Sequence, residues 1–233
     1  ADGANSRVRR LVPALGDVTR GFAIETDVRV GGELPPLTFD FGVARHGYAW
    51  LFPKGDHVNV GLYTADPDER ITREALADYA RRRLGTDELG DVVGHHIGLD
   101  GWDRPRRTRR IFLAGDAAGL VDALLGEGIY AAVRSGQAAA AAIEAALGGG
   151  ADPRPVYDRA MRPLLAEARW IRRFATLCHA NLDIAWRLVT TPRIGLGALS
   201  GYALGHTMRG TFLRLPVLAL RQRPRPRHAA AGE

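Results

Sequence analysis

Between residues 21 and 64 the chain alternates or clusters β-branched and aromatic residues in short runs: GFAIETDVRV at 21–30, LTFDFG at 37–42, GYAWLFPK at 47–54 and HVNVGLYT at 57–64. A period of two predicts strands. Gly-Glu-Leu-Pro-Pro at 32–36 and Lys-Gly-Asp-His at 54–57 supply the turns, and connections this short favour antiparallel neighbours. The period then lengthens. Over 71–84, Ile71, Ala75, Leu76, Tyr79 and Ala80 recur at helical spacing, and Arg81 to Arg83 fall near the end, where cations suit the helix dipole. A further strand is expected around 93–103.

RIFLAGD at 110–116 is a short apolar run bounded by charge and Gly, the pattern of a fully buried strand. A helix is expected over Gly126–Leu147. After its first turn its strongly polar side chains are Arg134, Ser135, Gln137 and Glu144, a pattern that predicts burial on nearly all sides. Gly148 to Gly150 stop it. Residues 153–215 read as mostly helical, with breaks at Pro192 and Pro216, and the basic, proline-rich RQRPRPRH at 221–228 predicts a disordered tail. The fold class is therefore α/β in the sense of an α+β mixture. An antiparallel sheet region spans 21–103, a strand and a helix follow within 104–150, a helical region spans 151–220, and a basic tail covers 221–233.

Composition narrows the function classes. At 46% hydrophobic and 25% charged residues, the chain is globular in type. Cys178 is its one cysteine, which excludes an internal disulfide and a cysteine zinc site, so a cytoplasmic setting is expected. Of the 32 basic residues Lys54 is the single lysine, so arginine is the default cation here and Lys54 the exception. Charge is uneven. Residues 1–150 hold 18 basic and 21 acidic side chains, net −3, whereas residues 151–233 hold 14 and 5, net +9. That basic region, with Trp170 and Trp186 among its arginines, suits either a helical cap with solvated charges or peripheral contact with an anionic membrane. No run of 18 apolar residues exists, so no spanning helix is expected. The opening ADGANSRVRR, without an initiator Met, reads as a chain that begins inside a domain.

The chemistry concentrates in GDAAGLVDALLGEGIYAAVRSG, residues 115–136. Gly115 lets a ligand approach the backbone, and Asp116 offers a carboxylate to a polyol at a strand's C-terminal edge. Gly126 and Gly128 flank Glu127 at a helix start, where bare amides stabilise negative charge such as a reduced flavin carries. Each piece alone is commonly a turn or cap; their sequence within about twenty residues is the signal. Other constellations are weaker. His95, His96, Asp100 and Asp103 have no metal-site spacing, so no metal is expected. Arg104, Arg106, Arg107, Arg109 and Arg110 lack aromatic partners in a net acidic region, which argues against nucleic acid. No GlyXSerXGly supplies a hydrolase nucleophile, and GLGALSG at 195–201 follows no strand and has no acidic residue some twenty positions on, so it is not a dinucleotide fingerprint.

Residues 115–136 resemble the second flavin-binding motif of the geranylgeranyl reductase family, within flavoproteins of the para-hydroxybenzoate hydroxylase type. ADGANSRVRR at 1–10 is similar to their AspGly motif, and GYAWLFPKGDHVNVGL at 47–62 to their TyrXTrpXPheProLys segment. The resemblance implies an FAD-dependent oxidoreductase that saturates C=C bonds of a polyprenyl chain, with NADPH or another reductant recharging the flavin. It makes 1–20 and 104–150 the partial FAD-binding domain and 21–103 the substrate domain. Cofactor contacts would come from Gly115, Asp116, Gly126, Glu127, Gly128, Ile129, Asp2 and Gly3, with Arg9 as an anion contact. Tyr48, Trp50, Phe52 and Pro53 would wall an isoprenoid pocket; read without the family, the same aromatics are a strand face packing on a core. Tyr48, His46 and Lys54 are the candidate proton donors. Two departures stand out: Ala123 replaces the family's usual Pro, and the GlyXGlyXXGly unit that opens these flavoproteins is not in the chain, which points to an N-terminal complementing segment. An aromatic hydroxylase and a non-catalytic fragment or split-protein half are the alternatives.

Overall fold

The computed structural model describes residues 1–190 together with Thr207 and Gly210. Two compact units are present, Ala1–Leu182 and Asp183–Glu233. The first is built on a five-stranded sheet in the order β2-β3-β4-β1-β5, antiparallel at every pairing: β1 Thr19–Arg29, β2 Thr38–Phe41, β3 Gly47–Pro53, β4 His57–Thr64 and β5 Val93–Leu99. The expected runs are thus strands within a residue or two at each end, except that the last stops at Leu99. Asp100 then takes a left-handed conformation (φ 61°), and the chain turns away.

Alternation divides the sheet into two faces. One carries Ile24, Val28, Ala49, Leu51, Val58, Val60 and Leu62, all buried against Leu76, Tyr79 and Ala80 of α2 (Arg73–Leu84). Thr72 caps that helix by accepting the Ala75 N–H, and Gly85 closes it at φ 75°. Of the predicted stripe, Ile71 precedes the helix and Ala75 faces outward. The other sheet face is aromatic.

A second core lies between α3 (Ile129–Gly149), α4 (Pro153–Ala180) and residues 111–120. Three expectations change here. Residues 110–116 are not a strand, because among the described residues their backbone pairs only at the Arg107–Phe112 bridge, a ladder needs a neighbour, and Gly115–Ala118 is a 3-10 turn. Helix α3 starts at Ile129, since Gly126 sits at φ 68° and Gly128 is the residue before the first turn. Nor is α3 buried all round: Ala131, Ser135, Ala138 and Ala142 face the core, while Ile129 is 79% and Leu147 83% exposed. Helix α4 continues through Pro163 and breaks at Asn181, after which α5 runs Leu182–Thr190. The predicted breaks at Pro192 and Pro216 and the 221–233 tail lie outside the described residues.

The arginine cluster serves the fold. Arg106 is buried, donating to the Leu15 carbonyl at 3.0 Å and to Asp103 at 3.1 Å, and Arg107 pairs with Asp158 of α4. Among the described residues no His, Cys, Asp or Glu group could hold a metal ion, and no helix is long and apolar enough to cross a membrane.

Candidate functional site

The Gly115–Asp116 turn is the pivot of the site. Gly115 has φ 58°, and a Cβ there would stand 3.1 Å from that of Ala132 on α3, so both conformation and space require glycine. Ser135 of α3 accepts the Gly115 N–H at 2.9 Å and donates to the Ala131 carbonyl at 2.6 Å, which fixes helix and turn together. From the sheet, Gly98 of β5 donates its N–H to Asp116 Oδ2 at 3.2 Å. A Cβ at Gly98 would lie 2.1 Å from the Asp116 carbonyl oxygen, so this crossing of two backbones needs bare glycine. The other carboxylate oxygen, Oδ1, lies 3.7 Å from where a Cβ of Gly128 would be. Gly115, Asp116 and Gly128 therefore meet, as the motif's spacing implies.

Arg9 reaches the turn from the N-terminal segment. Its guanidinium donates to the Ala117 carbonyl at 2.7 Å and to the Ala4 carbonyl at 2.6 Å, with Asp17 at 3.4 Å. Burial lowers its pKa from the usual guanidinium value, against the raising effect of Asp17. With both terminal nitrogens on carbonyls and 2% of its surface exposed, Arg9 braces the turn and is not placed to meet an anion. Asp2 accepts the Arg7 and Val8 N–H groups at 2.8 and 3.2 Å, and Gly3 at φ 76° turns the chain toward the short helix α1 (Arg7–Leu11).

Residues 122–127 form a closed loop. Gly126 N–H donates to the Asp122 carbonyl and Asp122 N–H to the Glu127 carbonyl, each at 2.8 Å, while Asp122 Oδ1 accepts the Leu124 and Leu125 N–H groups. Ala123, where the resembling proteins carry Pro, is buried in this loop. No side chain of Gly128 caps α3; the Glu127 carboxylate instead accepts the Tyr130 N–H at 3.0 Å. Ile129, next to it, is largely exposed.

Facing this loop is the aromatic side of the sheet. Register places Tyr48 opposite Phe41 and Tyr63, Trp50 opposite Phe39 and Gly61, and Phe52 opposite Asn59. Ring centroids run 5.3–5.9 Å apart through Phe39, Phe41, Tyr48, Trp50, Phe52 and Tyr63. Trp50 lies over Gly61, where a Cβ would come within 2.0 Å of the indole, and its Nε1 donates to Asn59 at 2.7 Å. Phe39 and Phe41 are each 40% exposed, so the strip is open to solvent along β2. Pro53 does not share this wall: alternation sets it opposite Val58, on the α2 side.

The three proton-donor candidates are scattered. Tyr48 donates its hydroxyl proton to the Leu125 carbonyl at 2.5 Å, and burial, with the charge of Asp122, pushes its pKa up to about 12. Lys54 sits in the exposed turn at the far end of β3, about 20 Å along the strand. His46 lies at an exposed corner, 3.6 Å from Asp66 and with its ring 5.5 Å from that of His179. Sequence reasoning did not single out Phe39, Phe41, Tyr63, Gly98 or Ser135. The alternation of β2 and β4 carried a signal for the aromatics; Gly98 and Ser135 become visible only through contacts distant in sequence.

This architecture is shared with solved structures. It matches a geranylgeranyl bacteriochlorophyll reductase-like protein of Thermoplasma acidophilum with TM-score 0.61 at 20% identity, covering 86% of this chain and 55% of that one. It also matches the anhydrotetracycline hydroxylase of Streptomyces rimosus, with TM-score 0.53 at 20% identity over 98% and 46%. No protein-family model matches. Among sequence relatives, the chloroplastic geranylgeranyl diphosphate reductase of Arabidopsis thaliana is 37% identical over 153 residues, 61% of this chain and 32% of that protein. An uncharacterised Methanosarcina barkeri protein is 32% identical over 194 residues, 81% and 50%. Over the stretch it shares with them, the chain is similar in sequence to geranylgeranyl reductases, as the resemblance of 47–62 and 115–136 implied. It spans half or less of the length of these curated relatives.

Proposed function

We propose that the chain is the substrate-facing part of an FAD-dependent reductase that saturates C=C bonds of a polyprenyl lipid. The observation that carries this reading is the aromatic strip of β2 and β3, open to solvent along β2 and ending at the 122–127 loop, within a chain whose relatives are named for geranylgeranyl reduction. An apolar strip of this kind suits a hydrocarbon ligand, each buried methylene contributing about 0.8 kcal/mol. FAD, when bound and reduced, supplies the hydride.

The residues fit the cofactor. Asp116 keeps Oδ1 beside Gly128, with the Val121 side chain next to them, and would hold the ribityl or pyrophosphate-side hydroxyls; Gly126, Glu127, Gly128 and Ile129 would line the flavin edge at the start of α3, whose amide dipoles favour negative charge. Gly115, Asp2, Gly3 and Arg9 support this arrangement from behind. In this reading residues 1–20 and 104–150 are the flavin-binding part and 21–103 the substrate sheet. Tyr48 is the proton source we assign, because it alone of the three candidates stands where strip and loop meet and holds its proton at neutral pH. The balance is one hydride and one proton per bond reduced.

The finer assignments belong to the same proposal: NADPH as reductant, a complementing segment carrying a dinucleotide-binding unit, and peripheral contact with anionic lipid. Trp170 and Leu177 of α4 are exposed, as are Ile184 and Trp186 of α5, whereas Arg169 stacks on Trp102 and Arg172 pairs with Asp100. Equal co-sedimentation with anionic and neutral vesicles would remove the membrane contact. An aromatic hydroxylase fits less well, since the strip is built almost wholly of apolar rings.

The deciding experiment is anaerobic incubation of the FAD-loaded, chemically reduced protein with geranylgeranyl diphosphate. The expected product is heavier by one H2 per bond reduced, with matching flavin reoxidation. No change in the prenyl chain, together with hydroxylation of an aromatic in a parallel aerobic incubation with NADPH, would replace this reading by the hydroxylase.

A further inference from the structure

Tyr63 of β4 is 1% exposed, so it is shielded from anything lying on the aromatic strip. It stands directly opposite Tyr48, with ring centroids 5.4 Å apart. The two hydroxyls leave the sheet in the same direction and end on alternate carbonyls of one loop: Tyr63 donates to Ala123 at 3.3 Å, Tyr48 to Leu125 at 2.5 Å. Gly126, at φ 68°, rests on the Tyr63 ring, 3.6 Å from its Cε2 and Cζ to where a Cβ would be. The loop is closed internally by Asp122, so it moves as one piece, and the two phenols join that piece to the sheet.

Tyr48 differs from Tyr63 in one respect. Its ring also touches Phe39, Phe41 and Trp50 of the strip, at 5.4–5.9 Å. One tyrosine thus belongs to the strip and the loop together, while the other fixes the loop from a fully buried site. We propose that Tyr63 is a positioning residue: paired with Tyr48, it sets the pose of the 122–127 loop over the aromatic strip, and with it the start of α3. The consequence for the flavin rests on the cofactor reading above; the tether itself does not.

The test uses Tyr63→Phe, which removes one oxygen and keeps the ring under Gly126. Amide hydrogen exchange of the flavin-free protein reads the tether directly. Exchange at Leu125 and Gly126 is expected to rise at least about tenfold, with the β1 and β4 amides unchanged. Tyr79→Phe is the control, because Tyr79 loses a comparable bond, to Asp40 at 2.7 Å, on the α2 side. It should leave loop exchange alone. Unchanged loop exchange in Tyr63→Phe, or an equal rise in Tyr79→Phe, overturns the inference. With FAD added, Tyr63→Phe is expected to bind about fivefold more weakly and to shift the visible flavin band, neither of which Tyr79→Phe does. Faster loop exchange with unaltered FAD affinity and spectrum would overturn the flavin consequence. No FAD binding by the unaltered protein would overturn the cofactor reading, while exchange would still decide the tether.

Discussion

The two faces of the five-stranded sheet are made by the same strands and serve different ends. Odd positions of β3 and even positions of β4, among them Leu51, Val58, Val60 and Leu62, are aliphatic and wholly buried under α2. Even positions of β3 and their partners, Tyr48, Trp50, Phe52, Phe39 and Phe41, are aromatic, and two of those rings stay 40% exposed. A face that only had to be stable would resemble the first. Keeping Phe39 and Phe41 partly in water leaves apolar surface unburied, the surface that the proposed prenyl site would use.

That contrast can be broken from either side. The largest effect is expected from Leu51→Ala on the α2 face, which should cost about 3 kcal/mol of stability in denaturant unfolding. FAD affinity, corrected for the folded fraction, should stay the same; a large loss would mean that the two faces are not separable. A smaller effect concerns pH. Burial, together with His46 and Arg172, lowers the His179 pKa to about 4, and its Nε2 is buried without a hydrogen-bond partner. The unfolded chain takes up this proton near pH 6.5 and the folded one only near pH 4, so stability falls as pH drops through that window, by roughly 1 kcal/mol after solvent screening. His179→Gln should flatten the pH dependence of Tm between 6.5 and 4, and an unchanged slope would assign it to other groups. A stability change no larger, about 1 kcal/mol, is expected at Phe39→Ser, whose ring is 40% exposed and touches Tyr48 and Phe52. Affinity for a prenyl ligand should nevertheless fall several-fold, and equal affinity would place the ligand off the strip.

Much of this was legible in the residue pattern. Alternation reported the strands, and the Gly115–Asp116 and Gly126–Gly128 spacing reported parts of one site, because both are local. Tyr63 was within reach as well. A two-residue Gly55–Asp56 turn sets Lys54 against His57, and that register places Tyr63 beside Tyr48. The 110–116 segment misled because an apolar run shows burial, whereas a strand also needs a partner. Arg9 misled for a similar reason: an arginine in a motif signals an anion, and only its contact with Ala117, 108 residues away, shows that its donors are used on carbonyls. His46 and Lys54 flank the two ends of β3, a separation that the sequence alone already gives.

The central claim is that the aromatic strip and the Asp116–Gly128 turn form one site. Adding geranylgeranyl diphosphate to the FAD-loaded protein while recording the visible flavin spectrum tests it most directly. A saturable shift of the flavin band that is lost in Tyr48→Phe is the predicted result. A ligand that binds, by quenching of tryptophan emission, and leaves the flavin spectrum untouched would contradict it.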